Sequence, residues 1–314
     1  MEIKGYCSAL EQTVLALWNI CLPEDMLDRE NFYRRVIYDV NFDPKKFLLA
    51  FEGETPAGFV YATNRKVPDE AAGLQAEQGW IVAMGVHPAM RRKEIGKTLL
   101  LKAEELLKKE GVCKIAAGPY STNYIFPGVD KDAYASGTGF FKAMGYEKTG
   151  ECCSMDTHLR GYRTPEKYAA KKKGLEEQGY RFIPYRSEDA LPLFEFLHRD
   201  FAWWLPDVRG AITAGRAEKT LILAHSPEGK VIGFVLRALD GTPERFGPFG
   251  TSPSMQGKGI GTVLFHEMME NLVKARLFYT YFLWTGGRNL DIYGTWGMKI
   301  YRSYEMLSKT LTLQ

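Results

Sequence analysis

The chain offers no cysteine pair at CxxC spacing and no long apolar run. Its five cysteines (7, 21, 113, 152 and 153) stand apart from its histidines, and Cys152 and Cys153 are adjacent, which suits neither an ordinary disulfide nor a zinc cage. They read as reduced packing thiols, which fits a cytoplasmic address. No stretch approaches the roughly 20 apolar residues of a membrane helix. The opening MEIKGYCSALEQ lacks the apolar core of a signal peptide. Charge of one sign is missing too: 41 basic against 38 acidic residues leave a net +3. That balance gives no reason to expect nucleic acid or an anionic membrane as a partner.

What the 314 residues do contain is a repeat. KFLLAFEGETPAGFVYATNRK from residue 46 and TLILAHSPEGKVIGFVLRAL from 220 each read as a strand hairpin. IVAMGVHP (81–88) and RFGPFGTSP (245–253) follow, each a strand ending in proline. Then come RRKEIGKTLL (91–100) and QGKGIGTVLF (256–265), each opening a helix. Ile95, Leu99, Ala103, Leu106 and Leu107 form one apolar stripe, and Ile260, Leu264, Met268 and Leu272 the other. Short strands near 113–117 and 277–283 follow, then FFKAMGY (140–146) and IYGTWGM (292–298). Ser187 is the expected cap of the helix SEDALPLFEFLHRDF. Two α/β (α+β) domains result, at 1–160 and 179–314, joined by a charged connection over 161–178. Each is expected to hold a mixed, mainly antiparallel twisted sheet flanked by helices. The first copy alone carries a long insertion, YSTNYIFPGVDKDAY (120–134).

A strand that turns straight into a helix through glycines aims several unpaired backbone N–H groups one way, and the helix dipole adds positive character: a phosphate cradle. The spacing in 256–261 is one residue short of the dinucleotide G-x-G-x-x-G. Gly96-Lys97-Thr98 matches the tail of a P-loop, but Arg91 stands where its first glycine must be. Gln256, Gly259 and Gly261 instead meet (Q/R)-x-x-G-x-(G/A). With the upstream hairpin and Pro253, this stretch resembles the coenzyme A loop of the GNAT acetyltransferase superfamily, present here as two tandem copies.

The resemblance implies a set of roles. Backbone amides over Gln256, Gly257, Lys258, Gly259, Ile260, Gly261 and Thr262 would hold the pyrophosphate of acetyl-CoA, a cosubstrate needing no metal. Phe249, Gly250 and Thr251 would pair with its pantetheine arm, and a backbone N–H there would polarise the thioester carbonyl. Tyr293, four residues before Gly297, would protonate the departing thiolate. Glu244 is the candidate general base, with His225 and His266 as alternatives. Trp203, Trp204 and Asp207, in the loop after the first helix of the second copy, would bind the acceptor. Trp284 is a similar aromatic candidate.

The first copy departs twice. Glu94 replaces the middle glycine, setting a carboxylate against the phosphate, and Phe141 stands four residues before Gly145, without a hydroxyl. The N-terminal copy is therefore expected to be non-catalytic and the C-terminal copy to be the N-acetyltransferase, acting on a primary amine of a small molecule or peptide. The alternative is a non-catalytic acyl-CoA-binding sensor or scaffold. Monomer and homodimer both remain open.

Overall fold

In the computed structural model, residues 1–120 and 125–311 are described. The insertion expected over 120–134 falls partly outside them. The chain divides into two units, one formed by Met1–Cys153 with Arg302–Gln314 and the other by Ser154–Tyr301.

The first unit runs β1 (Glu2–Gly5), α1 (Glu11–Cys21), α2 (Arg29–Phe32), β2 (Phe47–Glu52), β3 (Thr55–Asn64), β4 (Gln78–Val86), α3 (Ile95–Lys109), β5 (Lys114–Ala117), β6 (Val129–Asp130), α4 (Ala135–Ala143) and the start of β7 (Glu147–His158). β1 to β4 form an antiparallel meander, and β4 pairs with β5 in parallel. The apolar runs expected as a hairpin are β2 and β3. Their alternating side chains feed two cores: Phe47, Leu49, Phe51, Phe59 and Tyr61 join Trp18 of α1, while Leu48, Ala50, Val60 and Ala62 join α3. A sheet covered on both faces explains why these strands read as continuous apolar runs. The expected stripe of α3 is buried at Ile95, Leu99, Ala103 and Leu107.

The second unit repeats the plan with α5 (Glu166–Glu177), β8 (Arg181–Pro184), α6 (Ala190–Asp200), α7 (Leu205–Thr213), α8 (Ala217–Thr220), β9 (Leu221–His225), β10 (Val231–Arg237), β11 (Phe246–Thr251), α9 (Ile260–Lys274), β12 (Tyr279–Thr285) and α10 (Arg288–Thr295). β8 to β11 are antiparallel. β12 lies beside the later part of β7, where Ser154 Oγ donates to the Leu283 carbonyl at 2.7 Å.

Three features differ from the expected layout. Residues 161–178 hold α5, which belongs to the second unit: Tyr168 stacks on His266 of α9 at 4.1 Å and Lys172 pairs with Glu267 at 2.7 Å. Charged residues dominate it because one side alone is packed. Ser187 is not the cap; Asp189 accepts from the Arg186 N–H at 3.0 Å instead. The largest difference is β13 (Lys299–Thr310), whose residues from Arg302 on belong to the first unit. There β13 pairs antiparallel with β5, Leu307 opposite Ala117. Tyr304 and Leu307 are 1% exposed, and Lys309 reaches the buried Glu104 of α3 at 2.8 Å.

Leu307 therefore belongs to the core of a unit nearly all of whose sequence precedes residue 154. Leu307→Ala is expected to destabilise that unit by about 3 kcal/mol, the usual cost of a buried cavity. Urea unfolding measures it, and a loss below about 1 kcal/mol would contradict the assignment.

Candidate functional site

In the first unit the parallel pairing of β4 and β5 runs from Gln78 opposite Lys114 to Ile81 opposite Ala117 and stops. Gly118 N–H closes the pair on the Ile81 carbonyl at 2.9 Å. A bulge falls at Val82, since Tyr61 faces Ala83 and Ala62 faces Ile81. Beyond it β4 continues to Val86 with no β5 beside it. The opening is a cavity of about 540 Å³ lined by Val82–Val86, the loop Arg91–Lys97, Gly118 and α4. A volume in this range suits a small-molecule site.

One end of the cavity is the turn into α3. Arg92 and Glu94 have φ of +63° and +61°, left-handed values that cost non-glycine residues roughly 1 kcal/mol or more. Gly257 and Gly259 take the same region, at +80° and +89°, in the second unit. The first copy thus keeps the loop's backbone path without its glycines. The first-turn amides of α3 lack intrahelical partners, the arrangement that suits an anion at a helix N-terminus. Glu94, expected to oppose a phosphate here, is the N-cap residue of α3. Its side chain is 74% exposed and pairs with Lys97 at 2.8 Å, and Arg91, Arg92 and Lys93 supply further positive charge. The other end carries Cys21, Leu22, Phe126 and Tyr134. Burial pushes the Cys21 thiol up to about 12, leaving it unreactive at neutral pH.

The second unit brings the expected residues together but packs them. Phe249, Thr251 and Gly261 converge: a Cβ on Gly261 would lie 3.2 Å from the Phe249 ring and 3.6 Å from Thr251 Oγ1. Tyr293 packs against Phe282 at 4.6 Å between centroids, and against Phe246, Phe249, Phe265 and Trp296 at 5.6 to 6.3 Å. Six rings therefore cluster between β11, β12, α9 and α10, with Phe249, Tyr293 and Trp296 partly buried. Burial alone raises the Tyr293 phenol above its usual value. The Phe201 ring lies on Gly250, where a Cβ would be 2.6 Å away, and Lys171 of α5 crosses Gly259 at 2.5 Å from such an atom. At the corresponding Gly85 of the first unit a Cβ would lie 2.4 Å from Cys21 Cβ and 3.1 Å from the Phe59 ring, so neither position has room for a side chain.

The remaining candidates scatter. Glu244 precedes β11, and its carbonyl accepts from Thr280 Oγ1 at 2.7 Å and from Tyr281 N–H at 3.3 Å. Trp203 is 59% exposed, whereas Trp204 packs against the α6–α7 core. Asp207 lies in the first turn of α7, and Trp284 is half exposed near the end of β12. His225 is buried with Nε2 3.3 Å from Asp189. His266 sits between the rings of Tyr162 and Tyr168, with Nδ1 2.5 Å from the Tyr162 hydroxyl. Among the described residues no cluster of three or more metal-ligating side chains occurs, and no helix is long and apolar enough to cross a membrane.

Residues 10–125, which fall within the first unit, match the Acetyltransferase (GNAT) family. No curated protein sequence matches. Many solved structures match, and three that share the fold over 98% of the chain illustrate them. One is the glucosamine N-acetyltransferase region of a fungal multi-domain GH3 β-N-acetylglucosaminidase, with a TM-score of 0.82 and 19% identity; this chain spans 38% of that longer one. The second is a GCN5-related N-acetyltransferase from Sphaerobacter thermophilus, at 0.73 and 16%, covered to 95%. A tandem GNAT protein from the clavulanic acid biosynthesis pathway aligns at 0.64 and 14%, covered to 98%.

Burial lowers the His266 pKa to about 4. The unfolded chain, titrating near 6.5, binds the proton first. His266's contribution to stability is then complete above about pH 6.5 and lost as pH falls toward 4. Urea unfolding over that range should show this slope in the wild type and a shallower one in His266→Gln. Equal slopes would refute it.

Proposed function

We propose that the first unit binds acetyl-CoA and transfers its acetyl group to a primary amine, and that the second unit does not turn over. This reverses the assignment that the glycine loops and Tyr293 suggested. The observation carrying it is the contrast between the two clefts: the first is open along Val82–Val86, and the second is packed by its own aromatic rings.

The residues present fit the cosubstrate. Amides at the start of α3, with Arg91, Arg92, Lys93 and Lys97, suit a pyrophosphate. The free edge of β4 suits the amide-bearing pantetheine arm, taken as an added strand. A backbone N–H next to the Val82 bulge suits the thioester oxygen, since a fixed donor stabilises charge that develops there. The acceptor amine, which must be neutral to attack, enters from the end bounded by Leu22, Phe126 and Tyr134. Amino sugars join other small amines and peptides as acceptors to try, given the glucosamine acceptor of the fungal relative.

Gly139 offers a test that leaves the fold alone. It lines the cavity from α4, and a Cβ there would meet nothing within 4 Å. Gly139→Trp should fill the cleft and weaken acetyl-CoA binding at least about 100-fold, read by calorimetry. In thiol-release assays over an amine, amino-sugar and peptide panel, Tyr293→Phe should stay within about twofold of wild type. The opposite pattern, with Gly139→Trp binding normally and Tyr293→Phe inactive, would return the chemistry to the second unit. Binding without turnover on any acceptor would favour a sensor.

A further inference from the structure

Four charged or acidic side chains of the first unit meet beside the cavity at the end away from the phosphate loop. Arg302 donates from Nε to Asp130 Oδ2 at 2.5 Å, and from its two Nη atoms to Asp25 Oδ1 and Oδ2 at 2.7 and 2.8 Å. The Tyr134 hydroxyl donates to Asp25 Oδ2 at 2.8 Å. Trp18 Nε1 fixes the same loop by donating to the Asp25 carbonyl at 2.9 Å. Three separate parts of the chain are tied here: the loop after α1, the segment from β6 to α4, and β13.

The guanidinium uses its planar fork, two donors on one carboxylate and a third on the next, a pattern that a lysine cannot reproduce. Asp130 is 3% exposed at the side chain and Arg302 18%, so solvent screens little of it. A purely structural staple would need no phenol facing the cavity, yet Tyr134 lines it. Of the described lining residues, only Tyr134 and Cys21 are neutral acids, and the Cys21 thiol is buried against Gly85. Tyr134 is also the N-cap of α4, seven residues before Phe141. Tyr134 packs against the core that holds Trp18, whereas Phe141 joins the core beneath α3. Phe140, one residue earlier than Phe141, lies against Gly96 at the phosphate end. The cavity wall thus runs along α4 from the phosphate loop to the Tyr134 hydroxyl.

Resting on the acetyltransferase reading of the first unit, we infer that Tyr134 is its proton-transfer residue and that Arg302, brought in by the last strand, is the positioning residue that holds Tyr134 through Asp25. The amine lone pair forms the C–N bond, and the C–S bond breaks with its electron pair left on sulfur. Sulfur takes the phenolic proton, and the tyrosinate recovers one from the nitrogen of the new amide, so the residue ends unchanged. Burial and then the Asp25 carboxylate hold the Tyr134 phenol above its usual value, and the Arg302 charge counters part of that rise.

The test measures kcat, the KM for acetyl-CoA and acetyl-CoA binding in full-length wild type, Tyr134→Phe, Arg302→Gln and Asp25→Asn. The acceptor is the best amine of the panel, or concentrated hydroxylamine as a small generic nucleophile. Tyr134→Phe should lower kcat at least about 100-fold and move KM and binding less than about threefold. Arg302→Gln should lower kcat about tenfold with the same split; if it does not fold, the isosteric Asp25→Asn carries that arm. Tyr134→Phe with near wild-type kcat overturns the tyrosine's role while leaving the acetyltransferase reading intact. Equal losses in kcat and binding for Arg302→Gln or Asp25→Asn reduce the network to a staple. A wild type that binds no acetyl-CoA, or binds it without turning over even hydroxylamine, overturns both.

Discussion

The parallel pairing of β4 with β5 ends at Ile81 and Ala117, and the architecture of the first unit's cleft follows from that stop. Two strands held in register cannot admit a ligand. Two strands that separate leave a line of backbone donors and acceptors facing a void. The bulge at Val82 turns β4 aside, Gly118 ends β5 on the Ile81 carbonyl, and the α3 loop closes the far end. Gly118 has φ of +96°, and a Cβ on it would lie 2.8 Å from the Gly128 backbone, so the closure tolerates no side chain.

Much of this was legible in the sequence. The repeat, both hairpins, the strand–loop–helix units and the stripes of α3 and α9 follow from periodicity, because each element buries one face or two. The GNAT fold was legible from the resemblance carried by Gln256, Gly259 and Gly261. The path of the last strand was not. Tyr304 and Leu307 announce a buried face, but nothing in their spacing says whose core they enter, since strand pairing is a long-range property. The charged helix over 166–177 was missed because a one-sided packing of Tyr168 and Leu175 leaves little apolar pattern.

The proposed choice between the two copies rests on where the side chains go as well as on the glycine count. A glutamate in the glycine's place was read as charge and bulk against a phosphate. The backbone instead holds Glu94 in the left-handed region and sends its carboxylate outward to Lys97. In the second unit Lys171 crosses Gly259 and Phe249 lies against Gly261, while Gly257 has open space beside it. The motif describes a backbone path, whereas access depends on what neighbouring elements project across it. Signals for the second cleft's closure were present in Phe246, Phe249, Phe265, Phe282, Tyr293 and Trp296, but their convergence required the fold.

The exchange of β13 has a consequence for how the molecule comes into being. During synthesis the first unit emerges early, yet its sheet lacks a strand, and Asp25, Asp130 and Glu104 await cations that lie at residues 302 and 309. Everything from Ser154 to Tyr301 must be made before those cations exist. In sequence the second unit is an insertion within the first. A chain stopped inside it carries the whole turn into α3 but lacks the strand that pairs with β5 and the cations that meet Asp25, Asp130 and Glu104.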